Sequence, residues 1–220
     1  RIPETGRTSK GMPLVNLIQI QPGDKIHAIV PVREFSAESF LVFATNLGIV
    51  KRTPLIDFSR PRQAGIRAIN LLEDEHLIAV RESDGDSDII MAGSSGLAIR
   101  FHETDCRSMG RTARGVRGLA LTGDQQVVGM VVVKQEDAGC ALLSITENGY
   151  GKRTPLSEYR IQRRGGKGLI TIKCSDRNGP LVGVRDVFES DELMVITRNG
   201  IIIRISLDSV SLQSRNTQGV

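Results

Sequence analysis

The heptapeptide Gln162-Arg163-Arg164-Gly165-Gly166-Lys167-Gly168 concentrates the chemistry of this chain. Its two arginines and one lysine supply charge for anionic oxygens, and its three glycines permit a tight backbone path whose amides can approach a ligand. That composition suits phosphate. It is not a nucleotide loop, because the G-x-x-x-x-G-K-[ST] spacing and a following helix are absent. No hydrolytic or acyl-transfer set accompanies it. His27, His76 and His102 share no motif context, and Cys106, Cys140 and Cys174 form no C-x-x-C pair. His102 and Cys106 alone do not make a structural zinc site, which takes four ligands. The cysteines are expected as reduced, buried thiols, and Tyr150 and Tyr159 as structural side chains. Neither a catalytic residue nor a bound metal is expected.

Charge distribution points to the ligand class. The 220 residues carry a net charge of only +4. Yet windows 51–67, 100–117 and 152–167 carry +4, +3 and +5, so the remainder is acidic. Evenly spaced basic windows make a belt if the chain is built from repeats. Six Phe and two Tyr leave few stacking platforms for unpaired bases, and Phe40, Phe43 and Phe101 sit in apolar runs that read as core. Double-stranded DNA held by its phosphates is therefore the expected partner, without sequence preference. No apolar run reaches the roughly 20 residues a membrane helix needs, and the N-terminal residues lack a signal-peptide layout. The expectation is a cytoplasmic protein with no membrane partner.

The repeats are present. Gly48, Gly96, Gly149 and Gly200 recur about every 50 residues, each followed four positions later by arginine: Arg52, Arg100, Arg153 and Arg204. Lys51-Arg52-Thr53-Pro54-Leu55 returns verbatim at 152–156. A second landmark runs half a repeat out of phase. It comprises Arg7-Thr8-Ser9-Lys10-Gly11, Pro61-Arg62-Gln63-Ala64-Gly65, Arg111-Thr112-Ala113-Arg114-Gly115, Arg164 to Gly168 of the heptapeptide, and Arg215-Asn216-Thr217-Gln218-Gly219. Its glycines set repeat units near 11–65, 65–115, 115–168 and 168–219, within one domain over 1–220 that looks cut from a longer array.

Within each unit the local code is β. Segments 39–45 and 141–146 are short β-branched or apolar runs leading into turns, and 201–205 leads out of one. Asn148-Gly149 and Asn199-Gly200 suit type I′ hairpin turns. Further strands are expected at 66–72, 77–80 and 169–172, with an acidic turn at 73–75. No segment sustains a helical apolar period. Four short strands per ~50 residues make an all-β, propeller-like ring of four-stranded antiparallel blades. Tryptophan, the signature of WD repeats, is absent.

The order Q-R-R-G-G-K-G, set among G-x-x-x-[KR] repeats, resembles the gyrase box and the C-terminal repeats of the bacterial DNA gyrase A protein, and the resemblance covers the whole chain. It implies a β-pinwheel whose neighbouring blades exchange a strand and whose basic rim bends DNA. It also implies an ATP- and Mg2+-using holoenzyme, a heterotetramer of gyrase A with gyrase B, in which the box permits negative supercoiling. The domain itself would need no cofactor. The rim contacts expected are Lys51, Arg52, Arg62, Arg100, Arg111, Arg114, Lys152 and Arg153, together with Gln162, Arg163, Arg164, Gly165, Gly166, Lys167 and Gly168 of the box. Family members carry the box in the first of about six blades. Here two repeats precede it, so this copy is either the primary box or an auxiliary one. The alternatives are the equivalent domain of topoisomerase IV, which shares the repeats but lacks an intact box, and a protein-binding propeller.

Overall fold

The computed structural model describes residues 4, 6, 8–13, 16, 18–19, 23–62, 64–134 and 139–220. Arg7 and Gln63 of the second landmark lie outside the described residues. Among the described residues there are strands and short 3-10 turns but no α-helix. The strands are β1 (Phe40–Thr45), β2 (Ile49–Pro54), β3 (Leu77–Ser83), β4 (Asp88–Gly93), β5 (Leu97–His102), β6 (Val116–Arg117) and β7 (Val127–Val133). They continue as β8 (Ala141–Thr146), β9 (Gly151–Pro155), β10 (Leu169–Ile170), β11 (Leu181–Val187), β12 (Glu192–Ile196) and β13 (Ile202–Ser206).

Four hairpins, β1-β2, β4-β5, β8-β9 and β12-β13, share one register, with Val42 opposite Arg52, Ile90 opposite Arg100, Leu143 opposite Arg153 and Met194 opposite Arg204. Around them the sheets run β3-β1-β2-β6, β7-β4-β5-β10 and β11-β8-β9, and the last hairpin stands as a pair. The turns are not type I′. No described non-glycine residue has positive φ, so Asn148 is not left-handed. The amide of Gly149 donates to Thr146 O (3.0 Å) and that of Thr146 to Tyr150 O (2.8 Å). This is a three-residue loop closed by a left-handed glycine at φ +86°. Asn148 instead donates from Nδ2 to Arg177 O (3.0 Å), and in the first hairpin the tying asparagine stands two places before Gly48. Asn46 accepts from His76 N (2.8 Å) and donates to Asp74 O (3.2 Å), tying the hairpin to the acidic turn that precedes the next strand.

The first two sheets are completed by a strand from the following repeat. β6 and β10 follow Gly115 and Gly168, and pair Val116 with Val50 and Leu169 with Ala98 of the preceding hairpin. Gly151 and Val220 exchange amide bonds at the matching place (3.0 and 3.1 Å). The two landmark glycines thus interlock: a Cβ on Gly96 would lie 2.2 Å from Ile172 O, and one on Gly168 2.4 Å from Ala98 O. No strand forms at 66–72, and the strand expected at 169–172 stops at Ile170.

β3, β7 and β11 pack on one another at one edge of the sheets, so β6, β10 and the loops before them lie at the opposite, outer edge. The core lies between successive sheets. Ile89 and Met91 of β4 face one cluster with Val42, Phe101 and Leu119, while Ile90 and Ala92 face another with Leu142, Tyr159 and Leu181. A strand covered on both faces loses the apolar-polar alternation of a half-exposed one. Full burial of each such isoleucine contributes about 1.5–3 kcal/mol. Phe43 and Phe101 are core as expected, but Phe40 is half-buried beneath the Arg52 guanidinium at 4.2 Å. Cys106 and Cys140 are buried, whereas Cys174 is only half-buried.

Candidate nucleic-acid interface

The arginine four residues after Gly48, Gly96 and Gly149 is a latch between repeats, whereas Arg204 after Gly200 is exposed and pairs with Glu192 of its own hairpin. Arg52 pairs with the buried carboxylate of Glu103 (3.0 Å), in the following repeat. Arg100 pairs with Asp88 (2.7 Å) and donates forward to Leu156 O (2.9 Å), and Arg153 donates forward to Val210 O (2.8 Å). Their own carbonyls accept from Met109 N (2.9 Å), Gln162 N (2.8 Å) and Gln213 N (2.8 Å), which carries the chain of the next repeat alongside.

The lysines go the same way. The Lys51 ammonium donates to Ala68 O and to Arg111 O (2.5 Å), and that of Lys152 to Ser214 O (2.5 Å), Arg215 O (2.7 Å) and Thr217 Oγ1 (3.0 Å). Burial lowers both amines to about 8, against the nearby charges of Asp57 and Glu158. Lys51, Arg52, Lys152 and Arg153, expected on the rim, are buried, and Arg100 is half-buried against Asp88. They sit on strands covered on both faces, where a cation persists only with bonded partners. They shape the basic loops without facing outward.

Other cations do face outward. Arg62, Arg163 and Lys167 of the expected set are exposed, while Arg111, Arg114 and Arg164 are half-buried. Arg60, Arg67, Arg107, Arg117 and Arg160 are also exposed, and lie outside the expected set. Their signal was the charge of the windows together with a shorter recurrence, since Arg107 and Arg160 each stand eleven residues after a hairpin glycine and Arg67 and Arg117 each two after a loop glycine. Loops 60–65, 107–117 and 160–168 contain no Phe, Tyr or Trp. Tyr159 is buried with its hydroxyl on Thr171 Oγ1 (2.5 Å), and Tyr150 lies under the Arg177 guanidinium.

The box is pinned to the repeat before it. Arg164 Nε donates to Asp105 O (2.8 Å) and Nη1 to Arg117 O (3.0 Å). The amide of Gly165 donates to Gly118 O (2.6 Å), and Gly166 O accepts from Ala120 N (2.9 Å). The glycines admit neighbouring protein backbone, not a ligand as their composition alone suggests: Gly168 has φ +81° and abuts Ala98. A cleft of about 280 Å³ opens between Asp105, Arg163 and Arg164. Among the described residues no His, Cys, Asp and Glu gather as a metal site, and His102 bonds Thr104 and Asp86 instead. No helix among them is long and apolar enough to cross a membrane.

The family described as DNA gyrase C-terminal domain, beta-propeller, matches at residues 1–33, 39–83, 87–134, 141–187 and 191–220, the last four segments each opening at a hairpin. The DNA gyrase A protein of Clostridium acetobutylicum is 50% identical over 220 residues, covering 100% of this chain and 26% of that protein. That of Klebsiella oxytoca is 43% identical and is covered over 25% of its length. The chain thus spans about a quarter of these curated relatives. Among solved structures, a DNA gyrase A C-terminal domain superposes with TM-score 0.84 at 25% identity, covering 96% of this chain and 70% of that one. A DNA topoisomerase IV C-terminal domain superposes with TM-score 0.87 at 23% identity, covering 96% and 65%.

Proposed function

Because the chain belongs to the DNA gyrase C-terminal domain family, with its beta-propeller fold, we propose that it holds double-stranded DNA around its outer edge and wraps it for an intact gyrase. The observation that carries this reading is the ring of outward cations on loops 60–67, 107–117 and 160–167, in one phase of the repeat. Bending a 20–30 bp site by 40–90° costs about 1–6 kcal/mol, so several contacts must offset it. Each neutralised phosphate adds about 0.9 to the slope of log K against log salt, and loops repeated along one edge supply such contacts without reading bases. The absence of aromatics from these loops favours duplex over single strands.

The domain needs no cofactor in this reading. Cleavage, ATP and Mg2+ belong to the rest of gyrase A and to gyrase B, its partner in a bacterial cytoplasmic heterotetramer. The box at 162–168 and the 43–50% identity to gyrase A proteins favour gyrase over topoisomerase IV. Titration of the chain with duplex and single-stranded DNA at several salt concentrations tests the proposal. A steep salt dependence with duplex preferred supports it, and a flat dependence or single-strand preference overturns it.

A further inference from the structure

Loops 111–115 and 164–168 occupy the same place in successive repeats, each ending on a left-handed glycine against the preceding hairpin. Their cations meet different fates. In the first loop Arg114 pairs with Glu75 (3.0 Å), whose buried carboxylate also accepts from Thr45 Oγ1 (2.8 Å) and Leu72 N (3.2 Å). Burial pushes the Glu75 carboxyl upward, but the bonds from Thr45, Arg114 and Leu72 outweigh it and hold the group below its ordinary value. It stays charged and neutralises Arg114.

The counterpart of Glu75 in the next repeat is Gln125, since Leu77 and Val127 occupy matching register positions opposite Thr45 and Gly93. The Gln125 side-chain oxygen accepts from Thr122 N (3.3 Å), as Glu75 does from Leu72 N. The loop bond is kept and the charge is gone, while Gln125 is half-buried and Gly93 stands where Thr45 serves Glu75. Lys167, the counterpart of Arg114, is exposed and has no carboxylate partner among the described residues. Arg163 is exposed as well.

Arg164 behaves otherwise. Its Nη1 reaches Arg117 O (3.0 Å), and Arg215, its counterpart one repeat later, reaches Ile170 O (3.1 Å). Both acceptors stand two residues beyond the preceding loop glycine. The leading arginine is a staple thrown back one repeat, whatever the loop binds.

Resting on the duplex-binding reading, we infer that Arg163 and Lys167 are the phosphate contacts of the box and Arg164 is its positioning residue. Gln125, standing where the preceding repeat has Glu75, is what leaves Lys167 free. A carboxylate restored at 125 takes Lys167 as Glu75 takes Arg114.

The test titrates duplex DNA with the chain at several salt concentrations and follows amide exchange at Gly165 and Ala120. Lys167→Ala lowers the salt slope by about 0.9 in the wild-type background. Gln125→Glu lowers it by a similar amount, and Lys167→Ala then adds little. Arg163→Ala lowers the slope with exchange unchanged. Arg164→Lys keeps the charge and the slope but speeds exchange about tenfold, through loss of the two-pronged reach. The inference is overturned if Lys167→Ala lowers the slope equally in both backgrounds, or if Arg164→Ala lowers it with exchange unchanged. A wild-type chain that shows no salt-dependent binding overturns the duplex reading itself.

Discussion

Arg52 and Glu103 meet at 3.0 Å across the junction of two successive repeats, with the Glu103 side chain fully buried. Glu103 also accepts from Ser83 Oγ (2.7 Å) and from the amides of Gly85 (3.0 Å) and Ser87 (2.8 Å), so one carboxylate gathers two repeats. Arg52→Met leaves that charge without its counter-ion, and is expected to cost about 3 kcal/mol, read as a lower urea midpoint. Arg204→Met, which breaks an exposed pair with Glu192, should leave the midpoint unmoved.

Lys51 and Lys152 give stability a pH dependence. Their amines titrate near 8 in the fold and near 10.5 unfolded. Below pH 8 both states hold the protons. Between 8 and 10.5 the unfolded chain holds more, so this contribution to stability rises with pH across that window. Burial raises the Cys106 and Cys174 thiols and the Tyr159 hydroxyl, which act in the opposite sense at alkaline pH. The difference between wild type and a Lys51→Met, Lys152→Met variant removes those common contributions. Urea titrations from pH 7.5 to 10.5 should show wild type gaining on the variant as pH rises; a constant difference would refute it.

Gly96 and Gly149 both have φ above +80°, but only Gly96 faces neighbouring backbone within 4 Å. Gly149→Ala should therefore cost about 1–2 kcal/mol, the intrinsic penalty of the left-handed region. Gly96→Ala must also part the hairpin from 171–172. Its melting temperature should fall further, or the chain should fail to fold.

In an intact enzyme carrying this domain, Arg163→Ala with Lys167→Ala should reduce the salt slope of DNA binding by about 1.8. Introduction of negative supercoils should fall steeply while ATP-dependent relaxation persists. The double substitution keeps the box glycines, which a full alanine replacement would remove from positions packed on Ala98 and Arg117. Supercoiling at the normal rate would make this copy of the box auxiliary.

The period, the hairpins at 40–54 and 141–155 and the interlocking glycines are all legible in the residues, because each rests on a local requirement of strand or turn. The turn type is not, since Asn-Gly fits either a two-residue turn or the end of a three-residue loop and only the pairing of Thr146 with Tyr150 decides. The rim is half legible. Recurrence drew attention to Lys51, Arg52, Lys152 and Arg153, which the fold buries. Arg107 and Arg160 also share one repeat position yet face solvent, so recurrence alone does not separate a buried cation from an exposed one. Coverage of β2 and β9 on both faces is a tertiary fact that no local pattern announces.

Strand exchange also imposes a timetable on synthesis. When β2 has been made, the carbonyl of Gly48 still lacks the amide of Gly118 that it will accept (2.8 Å), and Val50 lacks Val116. At about 5–20 residues per second the nascent hairpin waits on the order of 3 to 13 seconds with one edge open. Lys51 and Arg52 lie on that open strand, and charges on an unpaired edge deter it from joining a second chain. The residues that later disappear into the interior thus guard the hairpin while it is incomplete. Nascent chains arrested before residue 116 and carrying Lys51→Met with Arg52→Met should aggregate more than arrested wild-type chains, and equal aggregation would show that the edge needs no guard.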